Sequence, residues 1–377
     1  MKIEFYRHDV QPSDINNVVA VLNSLFLTTG KVVGEFEDKF SKYLDCKYTV
    51  GVTSCTAALH LSLLAYGIGA GDEVITTPMT FIATANSIIY TGARPVFVDV
   101  EPETGNIDAD LIEAAVTPWT KAIMPVHLHG QMCDMKRIRK IADKHGLVVI
   151  EDAAHAIEAV RDGARPAKLG EAACFSFYAT KNITSGEGGA ISTNNKQIAE
   201  KLMRLRLHGM SQGAAERYSN KYEHWDMEML GWKYNMDNIQ AALLIGQLDR
   251  IEKNRERREF ICRMYEDAFK NNPRLSLLQV VPGSKSARHM FTIQVAPERR
   301  DDVLWRLQKK EVGVAVNFRA IHLLSYYRQT FGYKRGMFPV AERIGDSTIT
   351  IPMYPKLTDE EIYYVIQMIK KTTAEYK

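Results

Sequence analysis

Cysteine is scarce in this chain: five residues (Cys46, Cys55, Cys133, Cys174, Cys262), odd in number, scattered and without a Cys-x-x-Cys pair. That pattern excludes a disulfide framework and signals no zinc site. An excess of charge of either sign is also missing, with 48 Lys and Arg against 45 Asp and Glu. Nucleic acid is therefore not expected as a partner, because its binders concentrate basic charge. Long apolar runs are absent; stretches such as 153–160 and 312–316 are interrupted well short of the roughly 20 residues that a membrane span needs. The first dozen residues carry Glu4, Arg7, His8 and Asp9 where a signal peptide needs an apolar core, so the expected setting is cytoplasmic, with no membrane partner. No period of 20 to 50 residues recurs, which sets aside solenoids and propellers. His127, His129 and Cys133 are close together just after the apolar run Ala-Ile-Met-Pro-Val. No second ligand cluster accompanies them, so they read as a turn at a strand end and no metal is expected.

What the chain does have is an ordinary globular balance, 46% hydrophobic and 25% charged over 377 residues. That length suits two domains on the rough prior of about 150 residues each. Short apolar runs at 48–53, 73–77, 95–100, 121–125, 147–151, 174–178 and 189–193 read as seven strands. Helix-period segments at 57–65, 82–90, 109–115 and 135–145 lie between many of them. Such alternation predicts an α/β fold, a mainly parallel seven-stranded sheet with helices on both faces. From 238 to 271 the pattern becomes one long charged helix, whose Arg255–Arg258 cluster reads as a solvated face. Beyond it, strand-like runs at 275–281, 290–295 and 313–317 and helices at 301–309 and 358–371 predict a smaller α+β domain. The expected division is 1–250 for a large α/β domain and 251–377 for the small one.

Three segments carry chemistry. Leu147-Val-Val-Ile-Glu-Asp152 is a buried-strand run ending in two carboxylates. In open parallel sheets ligands bind beyond the carboxyl ends of the strands, which makes Asp152 a site candidate, although Asp also simply ends strands. Cys174-Phe-Ser-Phe-Tyr-Ala-Thr-Lys181 is an alternating strand that places Phe175 and Phe177 on one side, Ser176 on the other, and Lys181 just past its end, before a glycine-rich turn. Ser54-Cys-Thr-Ala-Ala-Leu59 follows a strand and opens a helix, whose free N–H groups can hold an anion. An amine, a carboxylate and a phosphate cradle are the three things pyridoxal 5′-phosphate needs from a protein. An amine of lowered pKa serves both as nucleophile and as proton carrier.

These segments resemble the DegT/DnrJ/EryC1/StrS aminotransferases, with Thr80-Phe81 after Pro78, Glu151-Asp-Ala-Ala-His155, Phe175-Ser-Phe-x-x-x-Lys181, Gly186-Glu-Gly-Gly189 and Gly231-x-x-Tyr-Asn235 matching the family pattern. The resemblance spans nearly the whole chain, from Thr28-Thr-Gly30 to Ile351-Pro352. It is closest to the branch that includes the UDP-4-amino-4-deoxy-L-arabinose aminotransferase, through Thr117-Pro-x-Thr-Lys-Ala-Ile123, Lys181-Asn-Ile-Thr184, Gly231-x-Lys-Tyr-Asn235 and Phe318-Arg-Ala-x-His322. The resemblance implies fold type I and transfer of an amino group, from glutamate through pyridoxal phosphate, to C4 of a UDP-linked keto sugar; a 3-keto sugar or a cyclitol or aminobenzoate precursor is the alternative acceptor. It implies Lys181 as the Schiff-base lysine and Asp152 as partner of the pyridine nitrogen. Ser176, Thr56 and Ala57 would hold the phosphate, Phe81 would stack on the ring, and His155 would sit against the ring or its hydroxyl. Asn235 would reach the phosphate of a second subunit, making a homodimer with shared sites. Tyr6 and His322 are candidates for the sugar side, and Arg206 or His208 for the donor carboxylate, against a packing role. Related dehydratases carry His in place of the lysine, and Lys181 speaks against that activity. Cys55 stands where many members have Gly.

Overall fold

The computed structural model describes residues 1–211 and 224–375. Its main sheet contains β1 (Tyr48–Val52), β2 (Glu73–Thr76), β3 (Arg94–Phe97), β4 (Thr120–Ile123), β5 (Val148–Asp152), β6 (Ala172–Ser176) and β7 (Gly189–Thr193). They lie in the order β1-β7-β6-β5-β4-β2-β3. Pairing is parallel from β3 through to β6, and only β7 runs against its neighbours β6 and β1. All seven expected strands are present, and the helices Ile82–Tyr90 and Met135–His145 occupy the expected residues.

The strands are buried on both faces because helices cover both. On one face, Val33, Phe36, Phe40 and Leu44 of the helix Lys31–Leu44 recur at helical spacing and are fully buried. Phe40 meets Phe175 edge-on at 5.1 Å and Phe36 meets Phe177 at 5.3 Å, so the alternation of β6 sends both phenylalanines into this layer. Each such ring contributes about 2 kcal/mol by burial. Ser176, between them, turns to the opposite side. There the helix Cys55–Ala65 is buried along nearly its whole length. Gly189 at the start of β7 sits so close to it that a Cβ there would lie 2.4 Å from the carbonyl carbon of Ser54.

Beyond the main sheet, β8 (Ser276–Leu277), β9 (Phe291–Gln294) and β10 (Thr348–Ile351) form a three-stranded antiparallel sheet. It packs with Ile261, Tyr265, Phe269, Val365 and Ile369 in a hydrophobic cluster of its own. Three expectations for this region are corrected. The segment 313–317 forms no strand; Ala315 makes a single bridge to Thr350, and the third strand is instead β10. The long helix is two, Asn238–Asp249 and Ile251–Phe269, broken at Arg250, whose guanidinium is drawn to Asp9 and Asp14. The cluster at 255–258 is not a solvated face throughout: Arg258 is buried and paired with the buried carboxylate of Glu158. Among the described residues, no helix is long and apolar enough to cross a membrane.

Candidate active site

The carboxyl ends of β5 and β6, the start of the helix Cys55–Ala65 and the start of the helix Ile82–Tyr90 converge on a cavity of about 450 Å³. Lys181, Asp152, Ser176, Thr56, Phe81 and His155 all line it. Six residues spread over 126 positions of sequence meet because parallel strands place all their carboxyl ends on one edge of the sheet.

Asp152 ends β5 and is buried. Its Oδ2 accepts from Thr84 Oγ1 at 2.7 Å and its Oδ1 from the Ala154 N–H at 3.1 Å. Burial raises its pKa above the usual carboxylate range, against the pull of these donors and of Lys181. Glu151, one residue earlier, faces the other way and accepts from His127 Nε2 at 2.7 Å and the Ala167 N–H at 2.9 Å. The His127 ring is oriented by the Cys133 N–H, which donates to its Nδ1 at 3.2 Å, and His127 and Cys133 are thus spent on this turn.

Lys181 follows β6 by five residues, its backbone tied down at both ends. Its N–H donates to the Tyr178 carbonyl at 2.9 Å, and its own carbonyl accepts from Tyr6 Oη at 2.8 Å. The residue is half-buried, and the withdrawal of its amine from water into the cavity lowers its pKa to about 8, while Cys55 and Asp152 pull the other way. Desolvation, rather than neighbouring positive charge, is what frees the amine. Lys181 is the sole Lys or Arg among the described lining residues.

Ser54, also in the lining, caps the helix Cys55–Ala65, its Oγ accepting from the Ala57 N–H at 3.1 Å. The N–H groups of Cys55 and Thr56 belong to the first turn and have no intrahelical acceptor. With Ser176 across from them, and Gly189 allowing the strand to abut this turn, they form a neutral anion cradle. The Cys55 side chain is itself buried, which drives its thiol pKa well up, so it acts as an inert filler. Ala57 belongs to the cradle only through the N–H already given to Ser54.

The remaining expected residues lie elsewhere. Tyr6 is behind Lys181, beside a small void that it shares with Thr180, His289 and Met290. His322 is not brought to the cavity: it is buried against Phe338 at 4.8 Å, with its Nε2 3.0 Å from Glu342. Asn235 is bridged to Val52 at the end of β1 and donates to Thr29 Oγ1 at 2.6 Å, outside the lining of this chain's own cavity. Arg206 is buried against Glu37 and the Gly51 carbonyl, which takes up its donors in packing.

Several neighbours escaped the sequence reading. Thr84 is one; it belongs to a different element from Asp152, 68 residues away in sequence, and the Thr80-x-x-x-Thr84 spacing is the only local signal. The others are His129, His289 and Phe318. His155 stacks on His289 with centroids 4.5 Å apart and on Phe318 at 5.9 Å. The His155 Nδ1 accepts from the His129 N–H at 3.3 Å, which leaves its Nε2 to carry the proton. Burial lowers the pKa of all three histidines, that of His129 to about 4, so they are neutral.

A half-buried amine with its pKa brought to about 8, a carboxylate held by two donors and a neutral anion cradle together fit pyridoxal 5′-phosphate. This fold and site define a pyridoxal-phosphate-dependent aminotransferase of fold type I. The sequence profile of the DegT/DnrJ/EryC1/StrS aminotransferase family matches residues 8–370, and the chain belongs to that family. It is 43% identical over 363 residues to the spore coat polysaccharide biosynthesis protein SpsC of Bacillus subtilis, covering 95% of this chain and 93% of that protein. Among solved structures, Spr1654 from Streptococcus pneumoniae in its PMP form superposes with a TM-score of 0.94 at 31% identity, over 99% of both chains. Helicobacter pylori PseC, an aminotransferase involved in the biosynthesis of pseudoaminic acid, gives 0.93 at 28% identity over 100% of both chains. The chain is an aminotransferase of this family.

Proposed function

We propose that this enzyme moves an amino group from glutamate to C4 of a UDP-linked keto sugar, as in the branch that includes the UDP-4-amino-4-deoxy-L-arabinose aminotransferase. The observation that carries the site assignment is the placement of the Lys181 amine and the Asp152 carboxylate in one buried cavity with the start of the helix Cys55–Ala65. The names of SpsC, a spore coat polysaccharide biosynthesis protein, and of Spr1654, a putative sugar aminotransferase by name, support a sugar acceptor. The Lys181–Thr184 and Phe318–His322 motifs support the 4-keto branch.

When bound, pyridoxal phosphate supplies an electron-withdrawing ring that stabilises negative charge on the carbon losing its proton. Lys181 would hold it covalently, Asp152 would face its ring nitrogen, and Ser176 with the N–H groups of Cys55 and Thr56 would take its phosphate. Phe81 and His155 would flank the ring, His155 offering its Nε2–H. With a pKa of about 8, Lys181 Nζ exchanges a proton readily near neutral pH, which suits it to carry one proton off the donor carbon and return it one atom away. Thr84 and the Ala154 N–H hold the Asp152 carboxylate in orientation, so it needs no reorganisation as charge develops.

The catalytic unit in this reading is a homodimer. Within one chain the phosphate dianion would be met by neutral donors alone, since Lys181 is committed to the covalent link. Asn235, outside its own chain's lining, is offered to the partner's phosphate. The separate hydrophobic cluster around the three-stranded sheet supports a large domain over 1–250 and a small one over 251–377.

Borohydride reduction followed by peptide mass spectrometry should place the cofactor on Lys181. A label on another lysine sinks the assignment. Glutamate-dependent amination measured across UDP-linked 3-keto and 4-keto sugars tests the acceptor, and preference for a 3-keto sugar rejects the C4 reading.

A further inference from the structure

A second cavity, of about 610 Å³, lies where β8 begins and β9 ends, and it shares no lining residue with the candidate active site. Its size falls within the roughly 300 to 1,000 Å³ of small-molecule sites. The start of the helix Arg300–Lys309 and the end of the helix Pro339–Ser347 complete its walls, the first through Arg299 and Val303, the second through Arg343 and Ser347.

Gln294, the last residue of β9, supplies a buried polar group. Alternation along β9 sends Phe291 and Ile293 into the hydrophobic cluster of the small sheet and so turns Gln294 to the opposite face. Its backbone is flanked by Ser276 of β8 and Thr348 of β10, which leaves the side chain as the part that reaches the cavity. Gln294 is only 6% exposed, yet its carboxamide makes no hydrogen bond among the described residues. The other buried glutamines are bonded: Gln247 Oε1 accepts from the Thr184 N–H at 3.0 Å, its Nε2 donates to the Thr184 carbonyl at 2.7 Å, and Gln131 Nε2 donates to Ser284 Oγ at 3.2 Å. A carboxamide carries two donor hydrogens and an acceptor oxygen, and withdrawing them from water with no partner is unfavourable, so Gln294 calls for a polar partner in the cavity.

Charge says of what kind. Arg274, Arg299 and Arg343 line the cavity against one carboxylate, Glu298. The Arg343 guanidinium has no ion pair among the described residues, and Arg274 gives its Nη1 to the Thr373 carbonyl at 2.8 Å rather than to an acid. Nearby arginines behave otherwise: Arg300 is paired with Asp301, Arg306 with Asp302 and Arg335 with Asp346. Even with Glu298 neutralising one of the three, positive charge remains for an anion. Guanidinium forks match phosphate oxygens two at a time. An inorganic phosphate alone would leave Gln294 and the apolar surface of Leu275, Val295 and Val303 unused.

We propose that this cavity is a second small-molecule site, apart from the one that performs amino transfer, and that it binds an organic phosphate of nucleotide size. Arg274 and Arg343 hold the phosphate, and the Gln294 carboxamide bonds a polar group of the organic part. A nucleoside phosphate and a sugar phosphate share this chemistry.

Isothermal titration calorimetry of the cofactor-loaded enzyme with uridine 5′-monophosphate, glucose 1-phosphate, inorganic phosphate and uridine separates them. One of the two esters should bind at one per chain with a Kd below about 1 mM, about tenfold or more tighter than inorganic phosphate or uridine. Arg343→Ala and Gln294→Leu should each weaken that binding about tenfold, while conversion of the bound cofactor by glutamate stays within about twofold of the parent rate. Neither substitution reaches the active-site cavity, so their effect distinguishes this site from nucleotide held there. Gln294→Leu keeps the shape without an unbonded amide, and it should raise the Tm of the unliganded enzyme by about 2 °C. No binding of either ester up to about 10 mM, binding that neither variant weakens, or inorganic phosphate binding as tightly as the better ester overturns the proposal. A lowered Tm for Gln294→Leu overturns it as well, because the amide would then be bonded within the fold.

Discussion

At Lys181 burial and chemistry meet, because taking an ammonium out of water destabilises its charged form and leaves the amine nucleophilic. The same shift is a stability cost in the cofactor-free chain. The pKa falls from 10.5 to about 8, so below pH 8 both folded and unfolded states are protonated and the folded chain bears the full cost of about 3 kcal/mol. Between 8 and 10.5 the unfolded chain alone keeps the proton, so stability rises with pH, and above 10.5 the cost is gone. Lys181→Met should therefore stabilise the cofactor-free protein at pH 7 by about 3 kcal/mol, with the gain shrinking toward pH 10.5, as urea melts at the two pH values will show. A gain independent of pH would refute the desolvated lysine. Thr84→Val removes a donor from Asp152 and should weaken cofactor binding by about tenfold, measured by titration of the apoprotein. Retained affinity would mean that the Ala154 N–H suffices to hold the carboxylate.

Elements carry the site through their ends. The helix Cys55–Ala65 contributes its first turn, the helix Ile82–Tyr90 contributes Thr84, and β5 and β6 contribute Asp152 and the approach to Lys181. These ends were readable because strand alternation and helix periodicity are local, and the reading of β6 separated Phe175 and Phe177 from Ser176 correctly. The helix Ile251–Phe269 was misread at one position for the opposite reason. Nothing within a run of Arg and Glu tells which one faces a buried carboxylate 100 residues away. Arg258→Met should cost about 3 to 5 kcal/mol in thermal or urea unfolding, because it strands Glu158 uncompensated, whereas Arg258→Met combined with Glu158→Gln should recover a large part of the loss. Equal losses in the single and double variants would show that packing, not charge, sets the cost.

At the scale of the whole molecule, Asn235→Ala should speed cofactor loss from the assembled enzyme without lowering the melting temperature of the cofactor-free chain. A stable monomer with full activity would end the shared-site reading. Absence of charge excess, scarcity of cysteine and the β/α alternation were enough to exclude whole classes of protein and to set the architecture of the large sheet, since each depends on composition or on spacing between near neighbours. The identity of Lys181 and Asp152 as site candidates came the same way, from strand ends whose direction the alternation implies. Which histidines face the cavity, that Thr84 holds Asp152, that His322 turns away to Glu342 and that Arg258 is paired with Glu158 all depend on pairs far apart in sequence. Such pairs form only once the sheet has brought its carboxyl edge together, and their hydrogen bonds then decide tautomer, charge and direction at distances no local pattern encodes.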